Sequence, residues 1–177
     1  FKETTVKKSI RNISFADVMK CMQEELGRAK AGLFTKRLKG ASLLCTSTFV
    51  LKDGLRVPTN YNGVVLLQVS NLTGPAEASL VKQTAAELPQ TLAAYADTCG
   101  TRVYILVLFT LPDGALPSNE EEVTLFHAHA HRRAVRLYQG QIPFAVDTGG
   151  DTPEVSCPFV HDATRYYAPQ AKPVLQS

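Results

Sequence analysis

No stretch of this 177-residue sequence is apolar for long enough to cross a membrane. The longest apolar runs, Val64 to Leu67 and Val103 to Phe109, are of strand length, not the roughly 20 residues that a spanning helix needs. The start at Phe1 shows no signal peptide, and a start at Phe rather than Met reads as a trimmed one. The expectation is a soluble, cytoplasmic protein with no membrane partner. Cys21, Cys45, Cys99 and Cys157 are scattered and form no C-x-x-C pair, which excludes a disulfide scaffold and a zinc ribbon and predicts free, mostly buried thiols. There is no G-x-S-x-G, no phosphate-binding G-x-x-x-x-G-K and no H-E-x-x-H, so the common hydrolase, nucleotide-loop and zinc-peptidase signatures are absent. Internal repeats and low-complexity segments are missing too. Net charge is only +3, a mildly basic balance without the strong basic stripe typical of nucleic-acid binders.

With 45% hydrophobic residues, the chain can bury one core without staples. Phe15, Val18, Met19, Met22 and Leu26 follow helical spacing behind Ser14 and Asp17, a capping-box pattern, and Gly27 can close that helix. Leu43 to Leu51 reads as a strand, Asp53-Gly54 as a tight turn and Pro58 to Asn62 as a loop. Val64 to Ser70 is a strongly apolar strand expected near the centre of a sheet. Thr73 as N-cap and Pro75 in the first turn start a helix that runs to Leu88. Thr91 to Ala96 and Arg102 to Thr110 form a hairpin around the turn Asp97 to Gly100. A long helix follows Ser118 and Glu121, another capping-box pair, reaches Tyr138, and is acidic early and basic late, as the helix dipole favours. Ile142 to Val146 and Val155 to His161 are the last strands, separated by the loop Asp147 to Pro153. The tail after Ala168 shows no packing pattern.

This order predicts an α+β, two-layer fold. From residue 64 onward it places a mostly antiparallel sheet beneath helices on one face, similar to a ferredoxin-like core. One domain is expected over 1–177: an N-terminal helix and β-rich part at 1–60, the core at 61–168 and an irregular tail at 169–177.

Several stretches, in order, resemble one family. Tyr61 to Thr73 resembles a stretch written Y-S-G-L-I-x-L-D-I-D-N-L. Leu88 to Tyr95 and Gly100 to Val107 resemble a hairpin with an S-P-S-G-R-G-L-K turn, and His131 to Tyr138 a helix H-x-x-A-x-x-x-L/Y. Asp147 with its glycine-rich loop is similar to I-D-x-S-G, Asp162 to Pro169 to Y-D-P-x-x-Y-Y-N-P, and Leu38 to Phe49 loosely to a motif upstream. All belong to the N-terminal domain of virulence-associated protein E, found in Bacteroides-type genomes and their mobile elements. The resemblance implies a primase-polymerase-like domain, a nucleic-acid or nucleotide partner, and a helicase domain elsewhere in a longer protein.

In primase-polymerases two carboxylates, spaced D-h-D on one strand, hold the divalent metal of nucleotidyl transfer. Residues two apart on a strand face the same side, so both anions can grip one Mg²⁺. Here those positions are Gln68 and Ser70, neither a strong Mg²⁺ ligand. The resemblance therefore points to a catalytically degenerate domain with no cofactor. An active nucleotidyl transferase using Mg²⁺ or Mn²⁺ would require Asp97, Asp147 and Asp162 to converge. A third reading is a non-catalytic protein-interaction module.

The residues named for a pocket are Gln68, Ser70, Arg102, His131 and Asp147. For phosphate they are Lys36, Arg37, Lys39, Arg132 and Arg136, because guanidinium and ammonium groups bind phosphate oxygens; against this stands a merely solvated helix face. His127 and His131 lie four apart on one helical face, and with Asp147 they are the weak metal candidates.

Overall fold

In the computed structural model, residues 15–23 and 42–177 are described. Their elements are helix α1 (Phe15–Gln23), strands β1 (Ser42–Leu44), β2 (Thr48–Lys52), β3 (Leu55–Thr59) and β4 (Val64–Val69), helix α2 (Pro75–Ala86), strands β5 (Thr91–Ala96) and β6 (Val103–Thr110), helix α3 (Glu120–Gln139), and short strands β7 (Ser156–Pro158), β8 (Tyr166–Tyr167) and β9 (Val174–Leu175). The chain folds as α+β, with three helices among the described residues.

The central sheet runs β4-β6-β5-β8, each neighbour antiparallel. Val146 bridges Val69 on the free edge of β4, again antiparallel. Counting that bridge as a vestigial last strand, the β-α-β-β-α-β order of a split βαβ unit is present. The expected strand Ile142 to Val146 is reduced to this one bridge. Gln139 explains why: its side-chain amide nitrogen donates to the Ile142 and Phe144 carbonyls, and its Oε1 accepts from Val146 N–H, satisfying backbone groups that a strand would otherwise pair.

Strand alternation sends Val65, Leu67 and Val69 toward α2 and α3, where they pack with Ala78, Val81, Phe126, Ala130 and Tyr138. Val64 and Leu66 face the other side, against Val18, Met19 and Met22 of α1, Cys45 and Phe159. Both faces are covered, so the strands are continuously apolar; all six residues of β5 are buried. The last turn of α1 is held by distant groups, since Asp162 N–H donates to the Met22 carbonyl and Arg165 Nε to the Met19 carbonyl. The first of those bonds occupies a carbonyl that a helix end leaves open.

Several boundaries differ from expectation. The run Leu43 to Leu51 is two strands in two sheets: β1 pairs with β7, and β2 with β3. The break falls at Cys45–Ser47, where Thr46 Oγ1 donates to the Pro153 carbonyl and Ser47 Oγ to that of Thr59. Pro58 and Thr59, expected in a loop, close β3. The strand expected over Val155 to His161 keeps only Ser156–Pro158. Asn119 rather than Ser118 caps α3, accepting from Glu122 N–H at 2.8 Å. Gly74 rather than Thr73 is the N-cap of α2, without a side-chain cap bond, while Thr73 N–H donates to Glu77 Oε2. The tail is not patternless: β9 adds parallel to β6 at Phe109–Val174, and Gln176 N–H reaches the Thr110 carbonyl at 2.7 Å.

Candidate functional site

At the end of β4 a hydroxyl stands where the carboxylate pattern would put an anion. Ser70 Oγ donates to Asp147 Oδ2 at 2.6 Å, a short bond to an ionised acceptor. Asp147 N–H donates to the Gln68 carbonyl at 2.8 Å. Thus Gln68, Ser70 and Asp147 do come together, through two hydrogen bonds that dock the residue after Val146 on the edge of β4. The Gln68 side chain continues the row of Val64 and Leu66 and is half-buried opposite Tyr104.

Arg102 lies at the same end of the sheet. Its backbone N–H and carbonyl close the Asp97 turn, and its side chain is exposed. His131 does not join this group, because α3 packs on the opposite face of the sheet from the row of Gln68. The sequence-predicted pocket is therefore split, with the loop 147–151 running between its halves.

The three carboxylates of the active reading occupy separate networks. Asp97 accepts from the N–H groups of Thr101 and Arg102. Asp147 accepts from Ser70. Asp162 forms a buried ion pair with Lys82 at 2.9 Å and accepts from Ala96 N–H at 2.8 Å. Burial alone would raise the Asp162 pKa, but the Ala96 N–H and the Lys82 ammonium outweigh it and hold the carboxyl below its ordinary range. Asp147 sits outside β4 while Asp162 is anchored on β5, with β4 and β6 between; three strand spacings make roughly 14 Å. Among the described residues, no three His, Cys, Asp or Glu side chains are grouped to hold a metal ion.

The basic residues are dispersed. Arg132 and Arg136 are exposed on the outer face of α3. Arg133 is held by the tail, Nη1 donating to the Leu175 carbonyl at 2.6 Å. Lys36, Arg37 and Lys39 lie outside the described residues.

The two histidines of α3 are more deeply placed than their polar character suggests. His127 and His131 are fully buried, while His129 between them is exposed. His127 Nδ1 is 2.9 Å from Tyr61 Oη, and the rings meet edge-on. Burial, with the neighbouring His131 as a smaller cause, pushes His127 down to about 4. Burial also lowers His131, opposed by Asp151 and by a hydrogen bond to the Gly149 backbone. Tyr61 is the residue that sequence reasoning missed. The buried stripe Val123, Phe126, His127, Ala130, His131, Ala134, Tyr138 could have shown that both imidazoles face the core, but the alternating histidines obscured it.

Residues 37–167 match the family model described as BT4734-like, N-terminal domain, a family named after a Bacteroides protein. This corrects the resemblance to virulence-associated protein E, which the comparison does not support. Short motifs spread along strands, turns and a helix follow what any sheet-and-helix core of this order demands, so their succession does not single out that family. The chain has no match among curated proteins and none among solved structures. Among the described residues, no helix is long and apolar enough to cross a membrane.

Proposed function

We propose that this chain, a member of the BT4734-like N-terminal domain family, is a catalytically degenerate, primase-polymerase-like domain that binds nucleic acid or nucleotide without nucleotidyl transfer. The observation that carries the reading is the Ser70–Asp147 bond at the end of β4. A divalent ion held for phosphoryl chemistry needs several anionic oxygens converging on it. Here one carboxylate is occupied by a neutral hydroxyl, and position 68 offers only an amide. The antiparallel β-α-β-β-α core supports a polymerase-like scaffold, and exposed Arg102, Arg132 and Arg136 supply phosphate-binding chemistry.

Fluorescence anisotropy with labelled single- and double-stranded oligonucleotides tests this. Binding should weaken steeply as salt rises, and Arg132→Ala with Arg136→Ala should lower affinity by about tenfold or more, since each lost phosphate contact is worth on the order of 1 kcal/mol. Absence of salt-sensitive binding to oligonucleotide and to nucleoside triphosphate would overturn the reading.

A second reading, a non-catalytic protein-interaction module, is favoured by the β2–β3 hairpin. Leu51 and Leu55 beside its turn are 74% and 72% exposed, an unusual investment of apolar surface at a loop tip. Loss of partner capture on Leu51→Ser/Leu55→Ser, with no oligonucleotide binding, would select it.

A further inference from the structure

Two buried thiols, distant in sequence, come together at a place that the nucleic-acid reading does not use. β1 pairs antiparallel with β7, with Leu43 opposite Cys157 and Leu44 opposite Ser156. Cys45 is the next residue, two beyond Leu43, so strand alternation turns it to the side of Leu43 and Cys157. Both thiols lie in the core on the α1 side of the sheet, at 5% and 2% exposure. Cys157 Sγ stands 3.8 Å from the Leu43 carbonyl oxygen, and the Cys45 thiol bonds to the Cys157 sulfur. That bond holds Cys157 below the ordinary thiol range, against the effect of burial, and together with burial raises Cys45.

A disulfide joins Cα atoms about 4.4–6.8 Å apart. Diagonal neighbours inside a regular ladder stand at about 7–8 Å, but Cys45 has left the ladder at the break before β2, and its thiol already meets the other sulfur. The same place is the root of the β2–β3 hairpin. Thr46, beside Cys45, donates to the Pro153 carbonyl, and Arg56 of β3 pairs with Glu154 just before β7 at 3.0 Å.

We propose that Cys45 and Cys157 form a reversible redox clamp, closed by a hydroperoxide to a disulfide that ties β1 to β7 at the root of the β2–β3 hairpin. The Cys157 sulfur, as thiolate, attacks one peroxide oxygen. The O–O bond breaks, a sulfenic acid forms, and the departing hydroxide takes up the proton that Cys157 gave. The Cys45 sulfur then attacks the Cys157 sulfur, the S–O bond breaks, and the second hydroxide leaves as water with the Cys45 proton. Two thiols and one hydrogen peroxide thus give one disulfide and two waters. The thiols are reached by local opening of the β1–β7 ladder, which is only three residue pairs long and lies outside the central sheet.

The test treats the native full chain with hydrogen peroxide, quenches it in acid, alkylates it on unfolding and maps the peptides by non-reducing mass spectrometry. The Cys45 and Cys157 peptides should appear joined, and dithiothreitol should separate them. The oxidised chain should melt about 10 °C above the reduced one, because a cross-link across so long a loop constrains the unfolded chain strongly. Cys45→Ala should remove both the link and the rise in Tm, whereas Cys99→Ser, at an exposed position, should leave both in place. If Cys45→Ala does not fold, mapping and melting of the wild type still decide. No joined peptide under conditions that oxidise Cys99 would overturn the pairing, and a joined chain that melts no higher than the reduced one would overturn the clamp.

Discussion

Ser70 turns Asp147 into part of the scaffold. A carboxylate that accepts a 2.6 Å hydroxyl bond, with its own N–H committed to the Gln68 carbonyl, fixes the start of the 147–151 loop on the edge of β4. Asp162 plays a comparable part on the other side of the sheet. Its pair with Lys82 is about nine-tenths buried, and Thr164 Oγ1 completes the coordination of Lys82 Nζ at 2.8 Å. Replacing one partner leaves the other charge buried alone, so Asp162→Asn should lower stability at pH 7 by about 3 kcal/mol. The folded-state pKa of Asp162 is depressed, so its contribution is complete above the unfolded carboxyl pKa near 4 and is lost as pH falls through the lower folded value. Denaturant unfolding of wild type and variant should therefore show a gap that is widest at neutral pH and closes below pH 4; a gap constant down to pH 2 would contradict this. At this scale the sequence was only partly legible. Gln68 and Ser70 could be read directly as neutral residues on an apolar strand. The burial of His127 and His131 was hidden by the alternation His-Ala-His-Ala-His, and nothing local announces that Tyr61, distant in sequence, closes on the ring of His127.

Elements with long, consistent patterning were readable, and those fixed by distant partners were not. β4, α2, β5, β6 and α3 carry unbroken apolar or helical periodicity and appear near the expected positions. β1 and β2 were fused in the reading because Cys45, Thr46 and Ser47 neither break a β-prone run nor show their links to Pro153 and Thr59. β9 is two residues whose only reason to be a strand is the open end of β6. The cap of α3 moved from Ser118 to Asn119 because both side chains can accept from a helix N–H, and only the path of the chain decides. The entry to β4 depends on close backbone approach. Gly63 has φ +74°, and a Cβ there would stand 2.2 Å from the Phe109 carbonyl oxygen. Gly54 also has positive φ, but with open space around it. Gly63→Ala should therefore cost about 2–3 kcal/mol and Gly54→Ala about 1 kcal/mol, measured by chemical denaturation. Equal losses would mean that the β4–β6 approach contributes nothing.

Across the whole molecule, one sheet serves two cores. The α2 and α3 side and the α1 side share β4, β5 and β6, which is why those strands are apolar on both faces and why the antiparallel α+β class was readable from composition and order alone. Function was less legible, because it depends on which groups converge: the fold joins Gln68, Ser70 and Asp147 but sets His131 and the arginines of α3 apart from them. The arginines of α3, the histidine pair and the Ser70–Asp147 bond occupy different places around the sheet. The proposed degeneracy requires that β4 be unable to hold a catalytic cation. Electron paramagnetic resonance titration of Mn²⁺ measures this directly, comparing wild type with Gln68→Asp/Ser70→Asp, which places two anions beside Asp147. The wild type should leave added Mn²⁺ free while the double variant takes up one equivalent. One equivalent bound by the wild type and released by Asp147→Asn would contradict the account.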